Sequence, residues 1–184
     1  MNKRLSAALI AAFILGGCSS IGKQSSESNP APCPNVLVLD EASRLVDFSG
    51  DETLENVAYT GEITSVVTAC RYVADRPIDV EVEVEFAFGK GPTADTDEKL
   101  FKYFVAVTRT DREVIAKQDF VIPVTFSDKK RIVLKKEEID KIVIPRNSEE
   151  TSGLNFEIVI GLSLTPKQVV FNRSGKSLKF PEIQ

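Results

Sequence analysis

Residues Ile78 to Phe88 read I-D-V-E-V-E-V-E-F-A-F. In an extended chain successive side chains point to opposite faces. Ile78, Val80, Val82, Val84, Phe86 and Phe88 therefore share one face. Asp79, Glu81, Glu83, Glu85 and Ala87 share the other. A helical period of 3.6 would scatter the six apolar side chains around the axis instead of aligning them. The stretch predicts a strand with one face in a core and the other in water. That is the habit of an antiparallel sheet.

The same period recurs on both sides. Phe101, Tyr103, Val105 and Val107 form an alternating set, as do Phe120, Ile122, Val124 and Phe126, and Phe156, Ile158, Ile160 and Leu162. Pro123 cannot donate a ladder hydrogen bond, so its strand belongs at a sheet edge or carries a bulge. Shorter strand candidates are Asn35–Leu39, Ile63–Tyr72, Arg131–Leu134, Ile142–Ile144 and Gln168–Phe171. Turn-forming stretches separate them: Asp75-Arg76-Pro77, Gly89 to Pro92, Thr110-Asp111-Arg112, Ser127-Asp128-Lys129 and Asn147 to Gly153. Glu41–Phe48, Asp95–Leu100 and Lys136–Lys141 have room for a helical turn or two. The expected fold is all-β: an antiparallel β-sandwich, immunoglobulin-like or fibronectin-III-like, of seven to nine strands.

The N-terminus has a different character. Met1-Asn2-Lys3-Arg4 is basic, and Leu5 to Leu15 is apolar except for Ser6. Those residues would cover roughly 16 Å as a helix, whereas a membrane span needs about 20 residues. A basic start, a short apolar run and small residues at its end form the signal-peptide pattern. Leu15-Gly16-Gly17-Cys18 resembles the lipobox of bacterial lipoproteins. The resemblance implies cleavage after residue 17 and lipidation of Cys18, which becomes the mature N-terminus. Several acyl chains hold a protein on a membrane where one is marginal. In Gram-negative lipoproteins an Asp after that cysteine favours the inner membrane, and here the residue is Ser19. The resemblance therefore implies the outer membrane, periplasmic face. Ser19 to Pro32 is Ser-rich and holds two prolines. It reads as a tether spanning roughly 20 Å as a flexible coil. The expected organisation is a signal peptide over 1–17, a lipidated N-terminus and tether over 18–32, a sandwich over 33–175 and a tail over 176–184.

With Cys18 lipidated, Cys33 and Cys70 remain as a pair in an oxidising compartment. A structural disulfide is the expected use. It would pin the N-terminal segment to a strand one or two along. Closing a loop of about 38 residues contributes ~4 kcal/mol in the chain-entropy picture. A redox role would favour Cys-x-x-Cys spacing, which is absent, and a soft-metal pair would lack further ligands.

Composition narrows the chemistry. The 184 residues include no His and no Trp. Ser-His-Asp and Cys-His catalysis and His-ligated zinc are thereby unavailable. The strongest aromatic platform for cations is missing too. A formal charge of −4 argues against nucleic-acid binding and against electrostatic attraction to anionic lipid.

Three kinds of acidic grouping could carry chemistry. Glu81, Glu83 and Glu85 lie about 7 Å apart along one strand face. They suit a partner surface or a calcium site, or a solvated face neutralised by lysines such as Lys102 or Lys117. Asp95, Asp97 and Glu98 suggest a calcium loop only weakly, because the following Gly and distal Glu are missing. Carboxylate pairs for a glycosidase can be drawn in many ways, so none singles itself out. Gly175-Lys176-Ser177 is no phosphate loop, since Val170 stands where the first Gly belongs.

Pro32-Cys33-Pro34, the run Gly61-Glu62-Ile63 to Cys70-Arg71-Tyr72, and Leu164-Thr165-Pro166 with Gln168 and Asn172-Arg173 resemble a group of small Gram-negative lipoproteins to which no activity is assigned. The resemblance supports the Cys33–Cys70 bond and the location but brings no mechanism. Thr165-Pro166 suits a turn before a last strand. The leading expectation is a non-enzymatic, lipid-anchored binding or structural module of the envelope, with no cofactor, touching another envelope protein. The alternatives are a lipid or sugar binder with a pocket between the sheets, and a metal- or carboxylate-dependent hydrolase.

Overall fold

The computed structural model describes residues 32–72 and 74–176. The stretches read from the sequence as a leader, a lipobox with Cys18, a tether before Pro32 and a C-terminal tail from Ser177 lie outside the described residues.

Among the described residues eight strands and one α-helix follow in order: β1 (Asn35–Val38), β2 (Arg44–Phe48), β3 (Val57–Arg71), β4 (Ile78–Lys90), β5 (Glu98–Arg109), β6 (Val114–Thr125), β7 (Ile132–Ile144), β8 (Phe156–Leu162) and α1 (Pro166–Arg173). They form two four-stranded sheets, ordered β1-β8-β5-β6 and β2-β3-β4-β7. Every neighbouring pair is antiparallel except β1 with β8. The fold is the expected β-sandwich.

The path explains the parallel pair. Strands β3-β4-β7 and β6-β5-β8 keep the neighbours that A-B-E and C′-C-F have in immunoglobulin-type sandwiches. Beside F those domains place a final strand, G. Here the chain becomes α1 after β8, and the place is taken from the other end of the domain, by β1. Pairing runs Asn35 with Glu157 to Val38 with Ile160.

The alternating stretch Ile78 to Phe88 lies in β4. Its inward side chains Ile78, Val80, Val82, Val84, Phe86 and Phe88 are 0–3% exposed. They meet Phe101, Tyr103, Val105 and Val107 of β5 and the apolar face of β8. Ring contacts tie the layers: Phe88 to Phe101 at 4.1 Å and Phe86 to Tyr103 at 5.0 Å. Tyr103 stacks in turn on Phe120 of β6 at 4.9 Å. These contacts put β5 over β4 and, with them, β6 beside β7.

Cys33 and Cys70 are bonded, with Cα atoms 5.7 Å apart. Cys33 precedes β1 and Cys70 lies on β3, so the bond crosses from one sheet to the other. The N-terminal segment is pinned two strands along, as expected.

Four local expectations are corrected. Gln168–Phe171 belongs to helix α1 rather than to a last strand. Thr165 is its N-cap, Pro166 occupies the first turn, and Gln168 closes a capping box with Thr165. Glu41–Phe48 holds only the end of a single 3-10 turn, Asp40–Ala42, before β2 begins. Asp95–Leu100 is a loop running into β5. Lys136–Lys141 is neither helix nor gap: the two short candidates around it merge into the 13-residue strand β7. Its charged side chains fooled the pattern because the cross-strand partner β4, not local propensity, decides its state.

The sheet edges differ. The edge of β2 is covered by α1: the Asn172 side-chain amide donates to the carbonyls of Glu41 (2.8 Å) and Arg44 (2.7 Å), and that of Gln168 to Val46 (3.4 Å). Phe171 packs beneath, edge-on to Phe48 at 5.1 Å. Strand β1 is only four residues long. Strands β6 and β7 run for 12 and 13 residues and stand side by side with no strand beyond them among the described residues. Pro123 lies on β6, an edge strand, where a missing N–H costs no ladder bond inside the sheet.

Candidate functional site

The outer face of β3-β4-β7 carries the glutamate row. Register places Val67 of β3 and Glu138 of β7 on either side of Glu83. Neutralisation comes from within this sheet. Lys136 of β7 bonds Glu83 at 2.6 Å and Glu138 at 3.1 Å, and Lys141 pairs with Asp79 at 3.0 Å. The Glu83 carboxylate first, and Glu138 after it, hold the Lys136 ammonium above its ordinary pKa. Lys102 and Lys117, named from the sequence as neutralising neighbours, sit on β5 and β6 of the other sheet. They do not serve the row, because chain neighbours in this sandwich often belong to opposite layers.

A β-bulge shapes the surface further. Val80 pairs with Ile142 and Val82 with Ile139, so Asp140 and Lys141 together oppose Glu81. A groove of about 430 Å³ results. Val67 and Ala69 of β3 supply apolar surface, and Glu81, Glu83, Glu138 and Asp140 supply carboxylates. Val67 is 59% exposed, unusual for a strand valine in mid-sheet. Glu81, Glu85 and Asp140 carry no ion pair among the described residues. The sequence showed the glutamate row but not its partners. Glu138 and Asp140 lie in the stretch that reads as a helical turn, and nothing local marks Val67 as the floor of a groove.

A second concavity opens between the sheets where β6 and β7 stand apart. It measures about 250 Å³ and is lined by Val105, Val107, Phe120, Ile139 and Ile142, with Gln118 and Lys141 at its rim. Ile139 borders both features.

The Asp95-Asp97-Glu98 loop is engaged otherwise. The buried Tyr59 donates its hydroxyl to an Asp95 carboxylate oxygen at 2.9 Å and accepts from the Thr96 backbone N–H at 3.1 Å. That hydroxyl is the first cause of an Asp95 pKa below the ordinary carboxylate value. Asp97 pairs with Lys90, and Glu98 opens β5. The acids point to separate partners, and no group of three or more Asp, Glu, Cys or His side chains converges on a metal-sized centre among the described residues. The loop closes one end of the core around Tyr59.

The opposite end holds the first described residues, Pro32 to Pro34. Tyr72 donates its hydroxyl to the Pro32 carbonyl at 2.9 Å and accepts from the Gly153 N–H at 3.3 Å. The Arg146 guanidinium lies 4.7 Å above the Tyr72 ring and donates to the carbonyls of Ala74 and Glu149. With the Cys33–Cys70 bond alongside, the entry point is clamped to both sheets.

Compared with protein-family models, with curated proteins and with solved structures, the chain matches none of them.

Proposed function

We propose that this protein is a lipid-anchored accessory module of the cell envelope, carried on Cys18 at the periplasmic face of the outer membrane, that binds a partner protein without catalysing a reaction. One observation carries the reading: the groove on the outer face of β3-β4-β7, where the carboxylates of Glu81, Glu138 and Asp140 stand around exposed Val67 and Ala69. Lys and Arg side chains combine an apolar stem with a cationic head. A partner segment bearing them would lay its stems on Val67 and its charges against the acids, and the complementary field would raise its association rate. The lipobox-like start and the Ser-rich tether support the membrane location. The clamped entry at Cys33 and Tyr72 supports a domain held in one piece at the end of that tether.

Crosslinking in intact cells tests the proposal. The wild-type chain should capture a discrete partner. Glu81→Lys/Asp140→Lys should lose it, since both carboxylates become cations, and Cys18→Ser should lose it by release from the membrane. Capture that survives both changes would refute the groove and the anchoring together.

The cleft between β6 and β7 favours a second reading, an apolar small-ligand binder. At about 250 Å³ it is slightly smaller than most ligand pockets, which run from about 300 Å³ upward. Displacement of a fluorescent fatty acid that is abolished by Phe120→Asp would favour it over the first.

A further inference from the structure

We propose that two copies of this chain pair through the free edges of β6, antiparallel and about a dyad at Gln118, joining their sheets into one of eight strands.

Along that edge the residues run Val114-Ile115-Ala116-Lys117-Gln118-Asp119-Phe120-Val121-Ile122. The segment has the same character read in either direction from Gln118. Lys117 is balanced by Asp119, Ala116 by Phe120, and the apolar Val114-Ile115 by Val121. Residues directly opposite in an antiparallel pair share a face. Ala116, Gln118 and Phe120 pair with the core-facing Val107, Val105 and Tyr103 and share their inner face; Lys117, Asp119 and Val121 pair with Ala106, Phe104 and Lys102 and share the outer face, where the Lys117 ammonium lies over the Phe104 ring although the residue also borders the cleft. A dyad at Gln118 therefore sets Lys117 of each copy against Asp119 of the other. It sets Ala116 against Phe120 on the inner side.

The outer ends close as well. A bulge at Ile115 lets Val114 pair with Thr108 while Ala116 pairs with Val107. Val121 of one copy falls opposite this Val114–Ile115 bulge of the other. Val114, Val121 and Ile115 are 60%, 51% and 37% exposed, so the pairing covers all three exposed large apolar side chains of β6.

Charge selects the register. Moving the dyad to residue 117 would oppose two lysines, and moving it to 119 would oppose two aspartates. Like charges directly opposite one another destabilise a sheet pair. Lys117 already lies 3.2 Å from Asp119 within its own strand and 4.8 Å above the Phe104 ring. The second copy would extend this existing pair into a square of four alternating charges. Pro123, which has no N–H to offer, lies just beyond the nine paired residues. The other edges fit less well: β2 is covered by α1, β1 is too short, and on β7 any dyad from Lys135 to Lys141 opposes like charges, at Ile139 by setting Glu138 against Asp140. This surface is separate from the acidic groove, so either proposal stands if the other fails.

Site-directed disulfide trapping of the full-length chain in its membrane tests the pairing, with the unsubstituted chain as the background for its own thiols. Directly opposed strand residues have Cα atoms about 4.5–5.5 Å apart, within disulfide reach. Gln118→Cys should therefore yield a covalent dimer on mild oxidation. Lys117→Cys and Asp119→Cys should each fail alone and crosslink when the two are co-expressed. In the Gln118→Cys background, Lys117→Asp should cut dimer yield several-fold, and Lys117→Asp/Asp119→Lys should restore it. Absence of a dimer at 118, equal trapping at 117, 118 and 119, or failure of the charge exchange to restore would overturn the proposal.

Discussion

Gly153 shows how little room is left beside Pro32-Cys33-Pro34. A Cβ there would sit 2.4 Å from the Pro32 carbonyl oxygen and 2.8 Å from both the Cys33 carbonyl carbon and the Pro34 nitrogen. These are backbone atoms held by a disulfide and cannot rotate away. Gly153→Ala should cost about 1–3 kcal/mol, the range for overpacking, and a chemical-denaturation midpoint measures it. Tyr103 makes a pH prediction. Burial first, and the nearby Glu137 carboxylate second, push its pKa up to about 12. The unfolded chain ionises this phenol near pH 10, while the folded chain still holds the proton. Its contribution is fully present below about pH 10 and is lost as pH rises toward 12. Lysines also titrate there, so the diagnostic quantity is the difference between wild type and Tyr103→Phe. The wild-type melting temperature should fall more steeply than the variant's between those limits.

At the scale of elements, α1 acts as an edge cover. Its Gln168 and Asn172 sit one turn apart and hand their amides to the β2 backbone carbonyls. Asn172→Ala should leave the Glu41 and Arg44 carbonyls without that partner and cost about 1–3 kcal/mol. Hydrogen exchange should quicken along β2 and not along β4. Legibility in the sequence varied with where each element's state is decided. Strand β4 was legible because both its faces are uniform and its core side chains repeat without a break. The first turn of α1 was written as Thr165-Pro166-Lys167-Gln168, but its length is only eight residues and its outer face is not clearly polar, since Val170 is 67% exposed. A strand fitted those residues equally well. Strand β7 was hidden because pairing with β4 holds a run of lysines and glutamates extended. The acidic groove inherits this: its β4 wall could be read, while its β3 floor and β7 wall depend on register and on a bulge.

For the whole molecule, the Cys33–Cys70 bond joins the two layers at the N-terminal end of the described residues. Cys33→Ser/Cys70→Ser should lower stability by up to ~4 kcal/mol, read as a shift in denaturant midpoint. β1 should lose exchange protection first, because it is only four residues long and pairs with a single strand. The covered edge and the short edge lie away from β7, and Arg146 of the clamped entry follows just after its end, so among the described residues no other strand covers the groove or the open side of the sandwich. The most direct test of a partner in that groove is a photo-crosslinking residue at Val67 in intact cells, with a second at Val170 on α1 for comparison. The account predicts a discrete adduct at Val67, none at Val170, and loss of the Val67 adduct when Cys18 is replaced by Ser. No adduct at Val67, or the same adduct from both positions, would contradict it.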